Sequence, residues 1–540
     1  MNKRIRVLCL ITALCLLLTG CGSDFKGWLQ EVGLFSGFFP QDQTTFSEMT
    51  YTRPDMDDIQ SVLAGACDAA VNATDLQQVL DGIYGFYDVY NRFYTNYNLA
   101  YIHYCQDMTD VFWEAEYALC ATYASQLNAG LDELYRTLAA SPWRGDLEDV
   151  NYFGPDFFDS YEGESGWTNT FIAMLKEETK LLSMYNSVLE ESRSVQPYSE
   201  EFFSQYGARL EQIFVKLVAH RQKIAAYAGY ESYVEYAYSG YARDYTPEQA
   251  IAYLQAVPDQ LGGLYRKVNQ SNLWDAYSRS CSEEETFAFG RSAAEAMGGR
   301  IRDAFDFMVT KEVYDIAHGS NKYSASFEVY LHSYYSPFLF LNPNDSPQDK
   351  LVFVHEFGHF ANDYICGGSA AGTDVAEIHS QAMEYLSLLY GEGGQELEKL
   401  KMADTLSVYV EQSAYALFEH LVYDIAPEEL SAQSVRALYE SIGLEFGFDS
   451  WAWDSRDYVC VSHFFGNPMY MISYVASNDL ALQIYQTELQ QEGSGLALYE
   501  RCLESQDSHL LTFAETYNLE NPLELSRLPK VLKTLEDALA

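Results

Sequence analysis

His355, Glu356, Phe357, Gly358 and His359 form a His-Glu-x-x-His pattern. On a helix, histidines at i and i+4 project from one face about one turn apart, so both imidazoles can hold a single zinc ion. Glu356 is rotated ~100° around that helix, where its carboxylate can take a proton from metal-bound water. A site of this kind needs a third protein ligand and an open position. The metzincin ligand set would require glycine at 362 and histidine at 365, but the chain has Asn362 and Ile365, which excludes that class. The next stretch carries Glu377 and Glu384, seven residues apart and on one helical face. One of them should complete the site, and periodicity alone does not choose between them.

The elements that position these residues are legible nearby. Ser346-Pro347-Gln348-Asp349 predicts the start of the motif helix, with Ser346 as cap and proline first, and Gly367-Gly368 predicts its end. A second helix is predicted from Asp374 to Tyr390. Residues 326 to 332 alternate apolar and polar, and after Ser336-Pro337 comes the run Phe338 to Leu341, so two short strands precede the motif helix. Elsewhere helical signals dominate. Apolar positions recur at three and four between Leu76 and Tyr94, behind a Thr74/Gln77 capping box. Thr246-Pro247-Glu248-Gln249 and Ser282 with Glu285 repeat the device. Turn residues from Ser141 to Trp167 predict a loop, and those at Gln196 to Ser199 predict a boundary between an N-terminal helical lobe, 46–198, and a catalytic part, 199–540.

The chain has 540 residues and a formal charge of -45, with 48% hydrophobic residues. Such an acidic balance argues against nucleic acid as a partner, and such a core-forming fraction argues against disorder. Lys3, Arg4 and Arg6 precede an apolar run from Val7 to Leu18, followed by Thr19-Gly20-Cys21. Residues 1–20 therefore resemble a bacterial lipoprotein signal, with Cys21 lipidated and residues 21–45 a membrane-proximal linker; an ordinary secretory signal is the alternative. Either reading exports the protein. The first would hold it by its lipid anchor to the outer face of the cytoplasmic membrane. Seven cysteines remain beyond Cys21, dispersed and without a Cys-x-x-Cys pair, and they read as buried free thiols.

The motif from His355 to His359, followed 25 residues later by Glu384 within Glu377-Ile378-His379-Ser380-Gln381-Ala382-Met383-Glu384, resembles the thimet oligopeptidase and oligoendopeptidase F family of zinc peptidases. The resemblance implies one zinc per chain held by His355, His359 and Glu384, with Glu377 orienting a ligand. A thermolysin-like or aminopeptidase-like arrangement would instead use Glu377. His463-Phe464-Phe465-Gly466-Asn467-Pro468-Met469-Tyr470-Met471-Ile472-Ser473-Tyr474 is similar to the family's C-terminal motif, and Arg221 to Ala225 with Gly229 to Tyr233 resembles its upstream segment. Met469 stands where an aromatic is common, and Ser473 where an acid is frequent. The likeness covers roughly residues 200 to 480. It implies an almost wholly helical, two-lobed fold around a deep channel, with a small sheet beside the active-site helix. It also implies hydrolysis of short peptides, with Glu356 as base and His463, Tyr470 and Tyr474 as catalytic groups facing the metal. The competing reading is a surface lipoprotein that binds peptides without cleaving them, and an intact base beside the metal ligands argues against it.

Overall fold

In the computed structural model, the described residues are 44–540, apart from 150–151, 163–167, 272, 274–278, 369–370, 450–452 and 506. The signal at 1–20, Cys21 and nearly all of the linker at 21–45 lie outside them. The described chain is mainly helical, with one small sheet. Among the described residues no helix is long and apolar enough to cross a membrane.

Three helices open the described chain, Met56–Asn72, Leu76–Gln106 and Val111–Ala139, and pack on one another around a core running from Ile59 to Phe158. A larger core takes in Met49, Leu99 of the same long helix, and Leu181, Tyr185 and Val188 of the Asn169–Ser192 helix before continuing to Leu535. The capping boxes at Thr246 and Ser282 form as expected. At Leu76 the cap moves by one residue: Asp75, not Thr74, accepts from Gln78 N, because a carboxylate there reaches the orphan amide directly. The expected loop after Ser141 contains a turn of helix, Arg144–Leu147, and Phe153 and Phe158 are buried in the smaller core.

Strands β1 (Tyr314–Asp315), β2 (Phe327–Leu331) and β3 (Ser336–Phe340) form a sheet in the order β1-β3-β2. β2 and β3 are the expected pair, antiparallel, with Val329 opposite Phe338. β1 pairs parallel to β3 and is too short to leave a periodic signal. The motif helix, Asp349–Cys366, follows directly and packs on β2 and β3. It starts two residues later than the Ser346 cap implies. Asp349 instead turns its carboxylate back to accept from the Asn344 and Ser346 amides, ordering the turn from its own first position. Gly367, at φ +65°, ends the helix in the left-handed conformation that glycine adopts without penalty.

Candidate active site

Three helices build the site. The Thr373–Tyr390 helix returns from the Gly367–Gly372 connection to pack along the motif helix, and its other side lies on Met471–Gln490, a helix buried almost all round. Gly358 makes the first contact close. A Cβ there would stand 2.6 Å from both the His379 carbonyl oxygen and Ser380 Cα, so only glycine lets the two backbones meet at this level.

That approach decides which glutamate meets the histidines. His355 Nε2 lies 3.5 Å, and His359 Nε2 4.0 Å, from Glu377 Oε2. These three side chains are the one His/Cys/Asp/Glu group among the described residues compact enough to hold a metal ion. Glu384 sits elsewhere: its Oε1 accepts from His355 Nδ1 at 2.8 Å, and its Oε2 pairs with Lys401 Nζ at 2.8 Å. The places expected for the two glutamates are therefore exchanged. In an antiparallel pair, residues equally far from the connection lie level. Glu384 is two turns, about 10 Å, farther from it than Glu377 and comes level with the outer side of the His355 ring.

The donor set suits zinc, which takes imidazole nitrogen and carboxylate oxygen. His355 Nε2 is buried and makes no hydrogen bond, while Nδ1 is held by Glu384, so the free nitrogen faces Glu377 and His359. Burial pulls the His355 pKa down, but the Glu384 bond and the charges of Glu377 and Glu384 outweigh it and push it up to about 9. Burial and the neighbouring His355 drive His359 well below the ordinary histidine range.

Glu356 is buried beside this cluster, with Oε1 lacking a hydrogen-bond partner. Burial pushes its pKa up to about 7, opposed by His355 and a Ser326 hydrogen bond and assisted by the charges of Glu377 and Glu384. A carboxylate poised near neutrality is suited to exchange protons.

His463, Tyr470 and Tyr474 come together as expected, with ring centroids 5.0 to 5.8 Å apart. Their roles divide. Tyr470 donates its hydroxyl to Glu377 Oε1, so it is engaged with the carboxylate. His463 Nε2 and the Tyr474 hydroxyl are 3.3 Å apart, and burial lowers the His463 pKa to about 3, keeping the ring neutral.

Several residues that hold this cluster carry no motif and escape sequence reasoning. Glu419 accepts from the Met469 and Met471 amides on either side of Tyr470, at 2.8 and 3.1 Å. Arg243 donates to Met469 O at 2.7 Å and Ser473 Oγ at 3.0 Å, and pairs with Asp374 at the start of the Glu377 helix. Arg221 donates to the Phe464 and Phe465 carbonyls. Ser473 donates its hydroxyl to Asp374, and Met469, at φ +69°, is held through its backbone amide and carbonyl. All seven cysteines in the described residues are free.

Residues 46–165 match the family described as the peptidase M3 N-terminal domain. Among solved structures, a protein assigned as an oligoendopeptidase F is 21% identical, with a TM-score of 0.80 over 92% of this chain and 98% of its own. Residues 46–165 are thus similar to the M3 N-terminal domain, and the fold is that of oligoendopeptidase F. A PZ peptidase A solved with an inhibitor has the same fold at 20% identity and TM-score 0.79, covering 92% of this chain and 99% of that one. A further protein assigned as an oligoendopeptidase F, from Bacillus anthracis, has it at 20% identity and TM-score 0.78, covering 92% and 98%. No curated protein sequence matches the chain. The oligoendopeptidase F fold thus accounts for the helical expectation and for the small sheet beside the motif helix.

Proposed function

We propose that the protein is a zinc-dependent endopeptidase that hydrolyses short oligopeptides outside the cytoplasmic membrane, held there through a lipid on Cys21. The observation that carries this reading is the convergence of His355 Nε2, His359 Nε2 and Glu377 Oε2 beside the unpaired Oε1 of Glu356. His355, His359 and Glu377 would hold the ion, and Glu384 would orient His355. Bound there, zinc supplies Lewis acidity toward the scissile carbonyl and lowers the pKa of a bound water toward ~7.

The remaining chemistry belongs to the chain. Glu356 accepts the proton of the attacking water and delivers it to the leaving amine, and its burial near the cluster keeps that proton from bulk solvent. Tyr474, whose oxygen lies 3.3 Å from Nε2 of neutral His463, would turn its hydroxyl to the oxyanion when the peptide binds. Tyr470 is committed to Glu377 and acts by fixing the carboxylate. β2 is an edge strand of the sheet beside the motif helix, with its Tyr330 carbonyl held by Asn98, and an extended peptide would add to such a sheet by main-chain hydrogen bonds.

Metal analysis of the purified protein, followed by mass spectrometry of a mixed peptide pool, tests this reading. One zinc per chain and new internal cleavage products are expected. Glu356→Gln should keep the zinc and lose activity by roughly a hundred-fold or more, since an amide cannot take the proton; a metal-free, inactive wild type would defeat the proposal. Cys21→Ala should move the protein from the membrane fraction to the soluble one.

A further inference from the structure

We propose that Lys401 is a positioning residue for the metal site, fixing Glu384 so that Glu384 in turn aims His355 at the ion. The inference rests on the zinc reading above and deepens it. Lys401 lies on the Glu398–Ser407 helix, outside every motif, and its side chain is only 2% exposed. A buried ammonium is costly unless paired. Its partners here are Glu384 Oε2 at 2.8 Å and Asp404 at 3.7 Å, with the Tyr385 ring 4.8 Å away.

The two oxygens of Glu384 are divided between two partners, Oε2 with Lys401 and Oε1 with His355 Nδ1. Rotating the carboxylate breaks one or both charge-assisted bonds. With Oε1 fixed, His355 presents its Nδ1 hydrogen to Glu384 and its Nε2 lone pair to Glu377 and His359. A histidine ligand whose outer nitrogen is held by a carboxylate binds metal in one tautomer and one orientation. Lys401 is the third link of that chain, two side chains removed from the ion. If Lys401 only neutralised a buried charge, its loss would lower stability and leave the zinc affinity of the folded protein unchanged.

Competition with a chromophoric chelator gives zinc affinity for the full chain in detergent, measured on the wild type, Lys401→Met and Lys401→Arg, with circular dichroism to establish folding. Lys401→Met should bind zinc roughly ten- to a hundred-fold more weakly. Lys401→Arg, which keeps the charge and the donors, should stay within a few-fold of the wild type. Turnover at saturating zinc should fall less than affinity does. Zinc binding by folded Lys401→Met within two-fold of the wild type would overturn the inference, as would equal weakening in Met and Arg variants. Should Lys401→Met not fold, Lys401→Gln is measured to the same criterion. A wild type that binds no zinc would sink the zinc reading itself, whereas a zinc-binding wild type with an unaffected variant sinks only the role of Lys401.

Discussion

Tyr470 donates its hydroxyl to Glu377 Oε1 and thereby leaves Oε2 turned toward His355 and His359. The carboxylate is also held by Ser380, whose hydroxyl donates to Oε2 at 3.1 Å. A ligand oriented in this way binds metal without first losing rotational freedom. Tyr470→Phe should therefore weaken zinc binding about ten-fold while the Michaelis constant stays close to the wild type. Chelator competition and steady-state kinetics at saturating zinc separate the two quantities.

The exchange of the two glutamates makes a direct comparison. Glu377→Ala should abolish stoichiometric zinc, because the third ligand is gone. Glu384→Ala should keep the ligand set and bind zinc roughly ten- to a hundred-fold more weakly. Metal content after dialysis distinguishes them, and the opposite ranking would restore Glu384 as the ligand.

Tyr474 offers a hydroxyl that the site can direct to a developing oxyanion. Tyr474→Phe keeps the ring but deletes a bond formed chiefly in the transition state. Turnover should fall roughly a hundred- to a thousand-fold, about 2.7 to 4 kcal/mol, with little change in the Michaelis constant. Near wild-type turnover on a fluorogenic peptide would reduce Tyr474 to part of the wall.

Gly358 has no room for a methyl group, since the His379 carbonyl oxygen and Ser380 Cα would both lie 2.6 Å from it. Both obstacles are backbone, which cannot rotate aside. Gly358→Ala should force the helices apart, costing about 1 to 3 kcal/mol and moving Glu377 away from the histidines. A chemical denaturation curve gives the first effect, and zinc affinity of the folded fraction gives the second.

Acid should destabilise the protein through His420. This ring is buried between Ala416 O, 2.6 Å from Nδ1, and the Tyr238 hydroxyl, 2.7 Å from Nε2, an arrangement that satisfies the neutral form. Burial lowers its pKa to about 4; the Ala416 bond opposes this and the Arg243 charge adds to it. Between about 6.5 and 4 the unfolded state binds the proton and the folded state does not, so stability falls as pH falls through that window. A shift of this size corresponds to roughly 3 kcal/mol. Denaturation midpoints should drop from pH 6.5 to pH 4 in the wild type and drop less in His420→Gln; equal slopes would clear His420 of the effect.

The sequence alone determined the chemistry and the elements that carry it. His355, Glu356 and His359 announce themselves because helical spacing is local, and a local pattern survives in any tertiary context. The motif helix, its partner at Thr373–Tyr390 and the β2-β3 pair were legible for related reasons, whereas the association of His463, Tyr470 and Tyr474 followed from the family resemblance of their segment and not from spacing. What spacing could not carry is the level at which two helices meet. That level depends on the Gly358 contact and on the length of the connection between the helices, and it placed Glu377 rather than Glu384 against the imidazoles. The same holds for Lys401, Arg243 and Glu419. A buried charge reveals its function only through the partner that compensates it, and those partners lie 17 to 230 residues away along the chain.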